Sequence, residues 1–209
     1  MHRSTNTLGG WPLVGWCALG LTVMAATILA RYGAGEIGWR MVIRVSAQTS
    51  LLLFTSAFIA SSLAALWPLP LTRWMLRNRR YLGVSFAASH LLHLVAILTL
   101  AALLGDHARF APATVIGGGL AYVFIAAMTA TSFDRTAEWL GRRAWTRLHT
   151  AGAYYIWAIF ALQYVGLTLQ SARYLPLAIL TFAAAGLRIA AARAAGRRVT
   201  VLAAAAARR

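Results

Sequence analysis

Lysine is absent from this chain, acidic residues are nearly so, and cysteine occurs once. All 20 basic residues are arginine, set against four acids, for a formal charge of +16. The lone Cys17 excludes an internal disulfide and a cysteine-based metal site. Charge of either sign is scarce, at 11% of residues, where soluble domains carry about 25%. What remains is apolar: 60% of the 209 residues are hydrophobic and the mean hydropathy is +0.67. The composition is that of an integral membrane protein, and the length suits one bundle. The excess positive charge does not imply a nucleic-acid partner. Nucleic-acid binding needs a solvated basic face interleaved with stacking aromatics, whereas these arginines stand in short gaps between apolar runs, where topology signals lie.

The charge-free stretches predict six transmembrane helices, an all-α polytopic bundle set in the lipid bilayer. They cover about residues 10–30, 45–67, 81–104, 113–133, 148–169 and 174–194. About 20 apolar residues at 1.5 Å each span the hydrocarbon core. Pro68 and Pro70 stop the second, because proline lacks the amide hydrogen a helix interior needs. Pro112 opens the fourth. The sixth is the weakest: Pro176 sits in its first turn, where proline is tolerated. Arg188 interrupts it and is expected to snorkel to the nearer interface. The first run is too long for a signal-peptide core and reads as a retained span. Fifteen arginines fall on the side holding both termini and five on the other, so both termini are expected in the cytoplasm. The expected location is the bacterial cytoplasmic membrane. Residues 1–195 form the bundle, and 196–209, GRRVTVLAAAAARR, form a basic low-complexity tail.

Histidine carries the chemistry. His90 and His93, read as HLLH, lie inside the third span, where an imidazole is costly unless something binds it. Their spacing puts both on one helix face. His149 stands at the inner end of the fifth span, which runs in the same direction. His2 is terminal and His107 lies in an external turn. Histidine nitrogen is a common axial ligand of haem iron, and bundles build such sites from facing helices. Phe86, Tyr154, Tyr155, Trp157 and Phe160 can wall a porphyrin, or they are packing and lipid-facing residues. Zinc fits less well, since it takes four tetrahedral ligands and no carboxylate lies within the spans.

Two stretches resemble a known family. NRRYLGVSFAASHLLHL, residues 78–94, is similar to the third helix of the haem-binding membrane subunits called MsrQ or YedZ. LGRRAWTRLHTAGAYYIW, residues 140–157, is similar to the start of their fifth helix. The resemblance extends in layout over roughly residues 40–190 and belongs to the ferric-reductase-like transmembrane group, which includes the NADPH oxidases. It implies a six-helix bundle with one or two b-type haems, and it implies His93 and His149 as iron ligands. The family has a further histidine about thirteen residues beyond the second of these. Here the region reads FALQY, so Gln163 or its neighbour Leu162 stands at an expected coordination position. His90 is additional to the pattern and a candidate substitute.

Depth separates the two ligands. His93 lies about 20 Å past Arg80 along a helix, and His149 about 3 Å past Arg147. Staggered helix starts, two separate haems, or an open position opposite His93 each accommodate this. The expected function is a relay of single electrons across the membrane. No Gly-rich dinucleotide fingerprint stands between strand and helix, so a separate donor, quinone or a flavin reductase, is expected. The acceptor would be an external partner, a methionine-sulfoxide reductase or ferric iron. The alternative is a haem-free transporter or assembly subunit whose histidines are interhelical hydrogen-bond partners or proton sites.

Overall fold

A computed structural model describes residues 9–108 and 111–206, with side chains to residue 197. His2 and Arg109 lie outside the described residues. The described chain is a bundle of α-helices: α1 (Trp11–Tyr32), α2 (Glu36–Leu66), α3 (Pro70–Arg77), α4 (Arg79–Leu104), α5 (Pro112–Ala130), α6 (Asp134–Leu140), α7 (Arg142–Gln170) and α8 (Leu175–Ala206). Six of them, all but α3 and α6, are long and apolar enough to cross a membrane. This is a multi-pass membrane protein.

Most spans are longer than the charge-free stretches that announce them. Arginine is a good helix former, so charge marks where the bilayer ends and not where the helix does. Glu36, Arg40 and Arg44 all lie within α2, and Glu36 accepts from Arg40 one turn on at 2.7 Å. In the same way α7 begins at Arg142, and α8 continues through the first part of the basic tail to Ala206.

The short helices α3 and α6 gather at one end, with the starts of α1, α4 and α7. Asn78, between α3 and α4, is buried and accepts the Gly10 amide at 2.9 Å, which fixes the start of α1. Arg80 at the start of α4 donates to Asp134 at the start of α6 at 2.7 Å. Eleven arginines of α3 to α8 and the loops between them belong to this end, from Arg73 to Arg197, Arg109 and Arg173 excepted.

The tightest seam joins α2 to α4. Ser46, Ser50, Ser85 and Ser89 are wholly buried there. Ser50 donates to Ser89 at 2.9 Å, and Thr49 meets the same oxygen at 3.3 Å. Small side chains let membrane helices approach, and their hydroxyls bond across the interface. Phe54, Phe58, Phe86, Ile156 and Phe160 form the main apolar core beside this seam. Gly152 serves α7 similarly, because a Cβ there would strike Met128 of α5.

The seam makes opposite demands on size and polarity, so two substitutions separate them. Ser89→Ala is expected to cost about 0.6 kcal/mol, a typical interhelical bond in a membrane. Ser89→Leu is expected to cost roughly 1–3 kcal/mol by overpacking. Thermal unfolding in detergent should rank them in that order.

Candidate functional site

His93 is fixed by the helix it faces. Its Nδ1 lies 3.0 Å from the Ile43 carbonyl and 3.0 Å from Ser46 Oγ, both in α2. A carbonyl only accepts, so Nδ1 carries the hydrogen, and Ser46 donates its own hydrogen to the same carbonyl at 3.1 Å. The tautomer follows: Nε2 of His93 is left with a lone pair. The fixed ring stacks on His90 with centroids 5.2 Å apart. His90 in turn sits among Phe86, Tyr122 and Phe160, with centroids at 5.4, 4.9 and 5.9 Å. Tyr122 of α5 donates to the His90 carbonyl at 3.2 Å. The Nδ1 of His90 is buried with no partner among the described residues.

His149 belongs to a second place. It lines a cavity of about 390 Å³ at the arginine-rich end, bounded by α2 to α7. Phe54, Phe58, Phe86, Ile125, Met128 and Ile156 supply apolar walls, while Arg77, Arg79 and Arg80 supply charge. Trp145, one turn earlier in α7, stacks on the imidazole at 4.1 Å and donates its indole hydrogen to the Thr131 carbonyl at 2.9 Å. Thr131 Oγ1 lies 3.0 Å from His149 Nε2 and donates to the Ala127 carbonyl at 2.8 Å. With that hydroxyl hydrogen engaged, Nε2 is the donor and Nδ1 keeps the lone pair. Arg80 reaches Asp134 through one nitrogen, yet its Nε is buried without a partner.

The two places are tiers. Gly83 lines the cavity and His93 is ten residues further along α4; His149 lines it too, and Phe160, which touches His90, is eleven residues further along α7. Both helices give a separation of about 15 Å along the bundle. His93 and His149 are therefore not brought together, and the depth difference expected from the sequence is real.

No family model, curated protein or solved structure matches the chain. The motifs and the geometry carry the reading of the site.

Other expected site residues separate by direction. Gln163 is exposed on α7, as is Leu162 at 72%. The structure does not bring Gln163 to either tier, because the inward position of that turn belongs to Tyr164, 2% exposed, its hydroxyl buried without a partner. Of the aromatics expected to wall a cofactor, Phe86 lines the cavity and Phe160 abuts His90. Tyr155 and Trp157 instead donate to Gly117 of α5 and Thr181 of α8. His107 is exposed beyond α4. Among the described residues no three His, Cys, Asp or Glu side chains cluster as a metal site would require; a haem needs one or two. Sequence reasoning passed over Ser46, Thr131 and Trp145. The repeat of small residues at Ser85 and Ser89, four apart and four before His93, was the available signal for the seam.

Thr131→Val removes the hydroxyl that holds His149 and keeps the shape. It is expected to lower stability by about 1 kcal/mol, and thermal unfolding against the unaltered protein measures it.

Proposed function

We propose that this is a b-type haem membrane protein that relays single electrons, with one haem in each tier. The observation that carries the reading is His93. A half-buried imidazole with Nδ1–H on a backbone carbonyl and a lone pair on Nε2 is the form that ligates iron, because the carbonyl sets the tautomer and raises ligand basicity. The remaining donor set suits the same group. The unpartnered Nδ1 of His90 lies beside His93. The chamber around His149 combines apolar walls with Arg77, Arg79 and Arg80, which match a flat apolar macrocycle carrying carboxylates. The unpartnered Nε of Arg80 is a donor of the kind a propionate would take.

Haem, when bound, supplies a one-electron iron couple. This chain supplies the rest. His93 and His149 would hold the two irons, with Ile43 and Ser46 orienting the first imidazole and Trp145 and Thr131 the second. Phe54, Phe86 and Phe160 fill the space between the tiers and exclude water, with ring centroids 5.4 to 6.3 Å apart. The arginine-rich end faces the cytoplasm in this reading, as arginine asymmetry directs. A quinone or a flavin reductase would deliver electrons there. An external reductase or ferric iron would accept them at the other end of a bacterial cytoplasmic membrane.

The test is the absorption spectrum of protein expressed with ample haem and purified in detergent. A Soret band that shifts on dithionite reduction, and that loses intensity in His93→Ala, is expected. A colourless protein would overturn the reading and favour a haem-free transporter or assembly subunit.

A further inference from the structure

Arg188 stands inside the last span and has no acid to meet. Among the described residues no carboxylate lies within ion-pair distance of it. Glu36 is taken by Arg40 and Asp134 by Arg80, while Asp106 follows α4 and Glu138 lies in α6. The side chain does not snorkel along its own helix. It turns across to α2 and α7, where Nη1 donates to the Phe58 carbonyl at 2.7 Å and Nε to Tyr154 Oη at 3.3 Å. Its carbon centre lies 4.4 Å from the Phe58 ring centroid and 5.2 Å from that of Tyr154. Arg79 reaches the neighbouring carbonyl, Ala57, at 3.2 Å. Two guanidinium groups thus converge on adjacent carbonyls of one helix, each held in place and neither neutralised.

Carbonyls and ring faces satisfy hydrogens and not charge. A cation within a membrane span marks a site by default. Guanidinium is suited to phosphate, since its fork of donors matches the oxygens, and Nη2 of Arg188 makes no bond that these contacts use. Next to it lies a groove of about 280 Å³ formed by Ser61, Ser62, Ala65, Tyr154, Ala191 and Ala192. Its floor is hydroxyl and its walls are alanine. It opens sideways on the bundle surface, where Tyr154 is 43% exposed and Ala65 and Ala192 are exposed. That is the direction of acyl chains, which a free phosphate does not have. The groove shares no lining residue with the His149 chamber, although Phe58, which Arg188 contacts, and Arg79 line that chamber.

We infer that Arg188 and this groove form a binding site for the phosphate headgroup of an anionic phospholipid, with its acyl chains along Ala65, Ala191 and Ala192. The second positive charge, on Arg79, disfavours a zwitterionic headgroup with its own cation. The groove itself takes no residue from the His149 chamber.

Native mass spectrometry of the full chain in detergent tests this, titrating dioleoylphosphatidylglycerol against dioleoylphosphatidylcholine. One phosphatidylglycerol retained with about tenfold preference is expected, the worth of a charge-assisted bond. Arg188→Gln should bring the two lipids to parity, while Arg193→Gln, exposed further along α8, should keep the preference. Where Arg188→Gln does not fold, Ala192→Trp fills the groove from its exposed face and should likewise abolish the preference. Preference retained in Arg188→Gln or in Ala192→Trp overturns the proposal. Millimolar inorganic phosphate should not displace the lipid; displacement would make this a free-phosphate site and overturn the lipid assignment.

Discussion

The contact between α2 and α4 sets the terms for everything else in this bundle. Serines 46, 50, 85 and 89 bring the two backbones close enough for the His93 ring to reach the Ile43 carbonyl. Bulkier residues at the seam would lose that reach. One seam thus performs two tasks: it packs a membrane interface without a hydrophobic drive between helices, and it decides which imidazole nitrogen keeps its lone pair. The chemistry of His93 is a consequence of helix packing.

At the other tier charge takes the place of close approach. With four acids in the whole chain, most arginines must find partners other than carboxylates, and the structure shows both cases. Arg80 takes Asp134, Arg79 takes a helix carbonyl, and Arg188 takes a carbonyl with two aromatic faces. A carbonyl or a ring face does not neutralise a cation, and the chamber and the groove open beside Arg79 and Arg188 respectively. The shortage of acids noticed first in the sequence therefore has a structural result. It leaves sites of positive potential in apolar walls, suited to ligands that carry both an anion and a hydrophobic body.

Much of the fold was legible in the sequence. Spans of apolar residues between arginines gave six membrane helices and their order, since that signal is a property of length and hydropathy alone. Helix ends were not legible, because Glu36, Arg40 and Arg142 are compatible with helix on either side of the bilayer surface. The short α3 and α6 escaped notice because eight and seven residues are too few to show a period. At the site, His90 and His93 stood out by their cost in apolar surroundings and His149 by its motif at the inner end of a span. The depth arithmetic separated His93 from His149 without choosing among staggered helix starts, two haems and an open position. Direction was the missing quantity. Whether Gln163 or Tyr164 faces inward depends on the rotation of α7 against its neighbours, and so does the path of Arg188 across to Phe58. Neither is written in local composition.

The central claim is that His93 and His149 serve different irons, because about 15 Å of helix separates them. Haem quantified per chain in the purified protein, in His93→Ala and in His149→Ala, addresses it directly. The account predicts two haems in the unaltered protein and one in each variant. A single haem per chain, lost entirely in both variants, would mean that the two histidines share one iron and would contradict it.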